Sequence, residues 1–403
     1  MKAKINIKSH VIRYKFLYTI LILLVYLVGR SLPLYGIDLT AYLDRSPDAQ
    51  DLLLQTVTGD LYRYSIFSLG IAPYMMAMLF VQMASALRSS DAREKTSPGR
   101  LNRISLWVML LFAVGQAIFQ AESLVFAENG QNIFLLRTIA VVEMVTGAVL
   151  ILWLSDRNRQ YGIGGQTTLI FVNMVDNIRS IIAGRDLQSL GLPVLISVIV
   201  LLVMVFMENT EVRIAVQRIS IHNIYADKNY FAIKLNPIGI MPVMFSTAFF
   251  MIPQLFLTGL HFLLPDNERI QKWMEELVLT RPAGIVLYLF ILFGLSIFFS
   301  MVFIHPGDIT EQFLKSGDSL LNIHAGKDTR RYLTWEVLRI SLFSAFAMSI
   351  CLGVPLWMQY KGQIEDSGLA MLPSSVMMLA GIWCNLYREV QALRDYDSYR
   401  PFI

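Results

Sequence analysis

The residues of this chain that could do chemistry are few, and none falls in a reactive spacing. Tyr161-Gly162-Ile163-Gly164-Gly165-Gln166-Thr167-Thr168 has the glycines of a phosphate loop but not the Lys-Ser/Thr that must follow them, so it reads as a tight turn between helices. His222, His305 and His324 lack metal-ligand spacing, and the only two cysteines, Cys351 and Cys384, sit inside apolar segments. They offer neither a disulfide framework nor a thiolate metal site. There is no His-Glu-x-x-His and no nucleophile with an adjacent base. These patterns give no route to catalysis, and nothing in them calls for a cofactor, a metal or nucleic acid.

What remains is a set of polar groups inside apolar segments. Glu143, in Ala140-Val141-Val142-Glu143-Met144-Val145, is the least expected of them. A carboxyl at that depth costs about 2.5 kcal/mol or more on insertion scales, so it is either functional or bridged to another helix. Both readings stay open, because Arg137 on the same segment is not well placed on the same face. Gln82, Gln116 and Asn236 are amides within or bordering apolar segments, each an interhelical hydrogen bond or a binding group. Asn236 also opens the irregular stretch Asn-Pro-Ile-Gly-Ile-Met-Pro-Val-Met-Phe, which ends at Phe245. Its Gly239-Ile240-Met241-Pro242 is echoed by Gly70-Ile71-Ala72-Pro73. Proline removes a backbone donor and crowds the preceding turn, so these copies predict broken membrane helices at matching places, as in an inverted repeat.

The elements that must position these groups are membrane spans. The chain is 55% hydrophobic and 16% charged with a mean hydropathy of +0.53, whereas soluble domains carry about 25% charged residues. A span needs about 20 mostly apolar residues. Segments of that kind are 16–35, 64–87, 104–126, 135–154, 165–183, 190–207, 238–261, 283–304, 335–356 and 368–387. The expected fold is all-α and polytopic, with ten transmembrane helices in an N-terminal half, 1–184, and a C-terminal half, 185–403. Most of the Lys and Arg residues, beginning with Lys2, Lys4, Lys8, Arg13 and Lys15, fall on the side of the N-terminus. By the positive-inside rule both termini are cytoplasmic and the chain is a multi-pass protein of the cytoplasmic membrane. No small-x-small cleavage site follows Phe16 to Gly29, so this is a retained first helix rather than a signal peptide.

Between spans one and two, Ser46-Pro47-Asp48 precedes Leu52, Leu53, Leu54 and Val57. A serine cap followed by proline predicts a short helix over about 47–58, lying on lipid or folded into a cavity. The cytoplasmic connections 208–235 and 305–332 are basic and far longer than neighbouring helices need. They are expected to dock something, with Arg213, Arg218, Lys327, Arg330 and Arg331 as the contact cations. Arg339, about one turn into span nine, is expected to snorkel to the cytoplasmic surface.

Five stretches in order resemble the SecY family, the central subunit of the protein-conducting channel. They are Leu34 to Asp38, Ser65 to Tyr74, Gly162-Ile163-Gly164, Phe206-Met207-Glu208 leading to Arg213, and Asn236 to Phe245. The resemblance implies two inverted five-helix halves around an hourglass pore that opens sideways to lipid between spans two and three and spans seven and eight. It makes the 47–58 helix the plug, and it places Gln82, Gln116 and Asn236, with Pro73 and Pro242, at the lateral gate. It makes the two long loops the dock for a SecA-like motor ATPase and, during synthesis, for a ribosome. The family's apolar pore ring falls on Ile71, Met75, Phe171, Val175, Met244 and Met378. A methionine-rich ring could still seal by dewetting while conforming to different chains.

The chain departs from the common family pattern where a basic residue is replaced by His324 before Ala325-Gly326 and by Gly307 after His305-Pro306. In this it resembles the accessory SecY paralogue of Gram-positive bacteria, which implies its own SecA-like motor, SecE/SecG-like small subunits or accessory Sec proteins, and a secreted serine-rich glycoprotein preprotein with a signal sequence. The alternatives are a housekeeping SecY subunit and, from another class, a small-molecule secondary transporter, which would need several membrane-embedded charges.

Overall fold

The computed structural model describes residues 2–38, 64–86, 97–122, 124–126, 132–183, 185, 187–218, 229–263, 267–364 and 366–395. The proposed plug, with Leu52, Leu53, Leu54 and Val57, lies outside the described residues. The described helices are α1 (Lys2–Ser31), α2 (Ala72–Ala86), α3 (Pro98–Glu122), α4 (Ile133–Tyr161), α5 (Gln166–Ile182), α6 (Leu187–Asn209), α7 (Met241–Leu263), α8 (Glu268–Glu276), α9 (Pro282–Ile304), α10 (Pro306–Ser316), α11 (Lys327–Tyr360) and α12 (Ser367–Asp395). All but α8 and α10 coincide with the expected spans. Seven of them, α1, α3, α4, α6, α9, α11 and α12, are long and apolar enough by themselves to cross a membrane. The chain divides into two compact units, one comprising Met1–Ala183 with Ile382–Ile403 and the other Gly184–Gly381. Helix α12 therefore starts in the second unit and ends in the first.

In the first unit, small residues let the helices approach closely. Ala113, Ala117 and Ala121 recur one turn apart on α3 and meet Ala77 of α2 and Ala140, Met144 and Ala148 of α4 in one buried cluster. Gly147 of α4 lies directly against the Ile66 carbonyl, and Gly29 of α1 lies against the Phe67 ring. The segment after α1 is pinned to the approach to α2. Leu34 N–H donates to the Tyr64 carbonyl at 2.7 Å, and Ile66 N–H donates to that of Leu32 at 3.1 Å. Helix α2 starts only at Ala72, because residues 64–71 form turns rather than the first part of an expected span at 64–87.

In the second unit, α7 packs on α9 through edge-on aromatic pairs, Phe245 with Phe299 at 5.5 Å and Phe250 with Tyr288 at 5.8 Å. Gly353 of α11 receives Leu289 of α9. The described parts of the two long connections include strands. They contribute β1 (Glu211–Arg218) and β2 (Tyr230–Lys234) from one and β3 (Asp318–Leu320) from the other, joined in an antiparallel sheet of order β2-β1-β3. The otherwise helical fold carries this one small sheet among the described residues. Its cause is an alternation that places Val212, Ile214 and Val216 on one face and Arg213, Ala215 and Gln217 on the other. The apolar face is buried with Leu320 of β3 against Leu333, Val337 and Ile340 of α11. Helix α11 has 34 residues, beginning at Lys327 rather than near 335. At 1.5 Å per residue it is about 50 Å long, against a hydrocarbon thickness of about 30 Å.

Candidate functional site

The two Gly-Ile-x-Pro copies do not break their helices; they start them. Pro73 and Pro242 are each the second residue of a helix, α2 and α7, where no intrahelical donor is missing and the fixed φ suits the first turn. The irregularity expected inside the spans precedes them. Gly70 and Gly239 have φ of +57° and +68°, a left-handed turn that favours glycine. Met75 N–H then donates to the Ile71 carbonyl at 3.1 Å, and Met244 N–H donates to that of Ile240 at 3.2 Å. The copies thus share one local geometry, with Met75 and Met244 in corresponding places, 9% and 3% exposed.

The other residues expected at the ring lie on α5 and α12. Phe171 and Val175 are one turn apart on α5, and Phe171 packs against Trp383 with ring centres 5.9 Å apart. Val175 is exposed, whereas Met378 on α12 is 1% exposed. Of the amides expected at a lateral gate, Gln116 is half-buried on α3 and Gln82 belongs to α2. Asn236 is buried just before α7, and its amide is already engaged. Its Nδ2 donates to Glu208 Oε1 at 3.2 Å, and its Oδ1 accepts from Ser344 Oγ at 3.2 Å, so it links the end of α6 to α11.

Glu143 has a structural partner that no side-chain pattern could name. Its Oε2 accepts from the backbone N–H of Tyr35 at 3.0 Å, which holds the turn after α1 where Gly36 has a φ of +77°. Glu143→Gln keeps an acceptor and is expected to leave transport and its pH profile unchanged. Glu143→Leu strands the amide and is expected to lower stability by about 1–3 kcal/mol. Melting in detergent with parallel transport assays checks both; a shifted pH profile in the Gln variant would give the carboxyl a proton-coupling role instead.

The glycine turn after α4 is a tight connection, as its missing Lys-Ser/Thr implies. Asn158 Nδ2 donates to the carbonyls of Ile163 and Gly165 at 2.9 and 3.0 Å. Thr19 of α1 accepts from Ile163 N–H at 2.9 Å, and Glu389 of α12 accepts from Gly164 N–H at 3.0 Å.

The basic residues expected to dock a motor sit on the sheet and the helix beneath it. The Arg213 guanidinium lies 4.5 Å from the Tyr230 ring centre and bonds Glu211 at 2.9 Å. Arg218 ends β1, and Lys327, Arg330 and Arg331 are exposed in the first turns of α11. A cleft of about 240 Å³, lined by Arg213, Ile214, Leu320, Ile323, Tyr332 and Glu336 among others, opens between sheet and helix. Among the described residues no three His, Cys, Asp or Glu side chains gather as metal ligands.

Sequence reasoning passed over three groups that the fold uses. Glu208 is buried beside Asn236, and Arg30, 3% exposed, bonds Asp176 of α5 at 2.6 Å. The available signal was two opposite charges, Arg30 and Asp176, at or inside the apolar segments of spans one and five.

The SecY family profile matches residues 65–387. The accessory Sec system protein translocase subunit SecY2 of Leuconostoc gelidum is 30% identical over 99% of this chain and 99% of its own length. The subunit of that name from Streptococcus sanguinis is 31% identical over 98% of each. A solved protein-conducting channel shares the fold with a TM-score of 0.70 at 16% identity, covering 97% of this chain and 94% of that one. Sec61 of the canine ribosome–channel complex does so at 0.63 and 15% identity. From its paired helix starts, its polytopic helical fold and these full-length likenesses, the chain belongs to the SecY family and resembles that family's accessory translocase subunits.

Proposed function

We propose that this chain is the channel subunit through which an accessory translocase passes an unfolded, glycosylated serine-rich adhesin preprotein across the cytoplasmic membrane. A separate SecA-like ATPase supplies the energy, and SecE/SecG-like small subunits or accessory Sec proteins complete the complex. Both termini are cytoplasmic. The observation that carries the reading is the matched pair of helix starts: each delivers a buried methionine, Met75 or Met244, and neither delivers a charge.

In this reading the apolar ring residues are Ile71, Met75, Phe171, Val175, Met244 and Met378, as the family resemblance implies. The 47–58 segment, outside the described residues, is the plug that the resemblance implies. Gln82, Gln116 and Asn236, with Pro73 and Pro242, border the lateral gate that signal sequences open. A secondary transporter needs embedded charges available for coupling, whereas Glu143 holds a backbone amide and Arg30 is paired with Asp176.

Motor recruitment tests the assignment. The chain purified in mild detergent from its own cells is expected to bring down a SecA-like ATPase distinct from the housekeeping one. Arg213→Glu combined with Arg330→Glu and Arg331→Glu is expected to weaken that association about tenfold or more, most at low salt, because exposed cations steer association. Recovery of the housekeeping ATPase alone assigns the chain to the general pathway. An unaltered affinity in the triple variant removes these cations from the dock.

A further inference from the structure

We infer that one face of α1, formed by Tyr26, Gly29 and Arg30, is a positioning clamp that holds both ring-bearing elements of the first unit in register. The inference rests on the ring reading above and adds residues to it that lie outside the ring. The three positions are three and four residues apart and so share a helix face. Tyr26 and Arg30 are almost wholly buried.

Toward the approach to α2, the Tyr26 ring stacks on Phe67 with centres 5.9 Å apart and planes 10° from parallel. Gly29 lies so close to the same ring that any Cβ would overlap it. Phe67 is part of the turn that sets Ile71 and Met75, since its carbonyl accepts from Gly70 N–H at 2.9 Å. Toward α5, the Tyr26 hydroxyl donates to Asn173 Oδ1 at 2.9 Å. Arg30 Nη1 donates to the same oxygen at 3.3 Å and to Asp176 Oδ2 at 2.6 Å.

At 3.6 residues per turn, Asn173, Asp176 and Asn177 project from the side of α5 opposite Phe171 and Val175. Bonding the polar side to α1 fixes the rotation of α5 about its own axis. That rotation decides where Phe171 and Val175 point. Asn177 continues the polar side, buried and with its amide making no hydrogen bond among the described residues. The Arg30–Asp176 pair and the Tyr26 hydroxyl are the hydrogen bonds that tie this side of α5 to α1. One short face of α1 thereby references two pairs of ring residues to a common support.

The test uses the full chain in proteoliposomes, with ion flux at rest as the readout. Asp176→Asn is expected to raise the resting flux about tenfold, the scale of losing one charge-assisted hydrogen bond, and to speed thiol labelling of a Phe171→Cys reporter. Tyr26→Phe, which removes only the hydroxyl, is expected to give a smaller rise with unaltered melting. The exchange Arg30→Asp with Asp176→Arg is expected to return the flux to within about twofold of the starting chain, as restored pairing requires. If Phe171→Ala leaks while Asp176→Asn and Tyr26→Phe stay tight, the clamp is overturned and the ring stands. If Phe171→Ala is also tight, the ring reading fails and the clamp with it. A leak in Asp176→Asn that the charge exchange does not reverse overturns the clamp as well.

Discussion

Replacing Met75, Met244 and Met378 together by serine is expected to make resting membranes leak ions on the order of a hundredfold faster. Each of the three is at most 9% exposed, and burying a methionine side chain is worth about 1.5–3 kcal/mol. An apolar constriction excludes ions by dewetting. Three hydroxyls in place of three methionine side chains remove both volume and apolar surface, which a seal by dewetting requires. Methionine is also flexible enough to close around chains of different section and reseal, so the variant should leak at rest and still pass substrate. Met348, fully buried on α11 and outside the ring, is the control. Its serine variant should melt lower without leaking. Single-channel recording reads the outcome, and an unchanged conductance in the triple variant would falsify the ring assignment.

The second large effect is steric. Gly147 of α4 faces the Ile66 carbonyl so closely that an added Cβ overlaps backbone, which cannot swing aside as a side chain can. Gly147→Ala is expected to lower stability by about 3 kcal/mol, the upper end of overpacking penalties, and Gly147→Leu to abolish folded protein in detergent. The same change at Gly115 on α3, where nothing lies within 4 Å, should be neutral or stabilising by up to about 1 kcal/mol through helix propensity. Equal melting temperatures for the Gly147→Ala variant and the parent would mean that α4 does not seat against the turn before α2.

These two sites also mark where sequence reading works and where it stops. Hydropathy located every described helix that is long and apolar enough to cross a membrane, because insertion demands long apolar runs and each such run is a local property. The boundary before α2 was lost because residues 64–71 are as apolar as the helix they precede. What marks it is the left-handed Gly70, which a hydropathy window does not register. The repeated Gly-Ile-x-Pro was legible, but proline was read as a break when it occupies the one place in a helix that suits it. Strands β1 and β2 were visible in principle as alternation. The pairing of β1 with β3 was not, since it joins segments separated by four helices. The partner of Glu143 is a backbone amide, which every residue but proline possesses and no sequence pattern identifies. Arg30 and Asp176 lie 146 residues apart, and only the fold brings them together.

The sheet has a consequence for the order in which the protein becomes competent. Strand β1 is paired on one side by β2 almost as soon as it is made, but its other side waits for β3, which follows the whole of α7, α8, α9 and α10. Chains fold from the N-terminus as they are synthesised. The sheet that carries Arg213 is thus completed late, after most of the second unit has been made. A partial chain therefore bears an unfinished sheet, with the second edge of β1 open until β3 has been made.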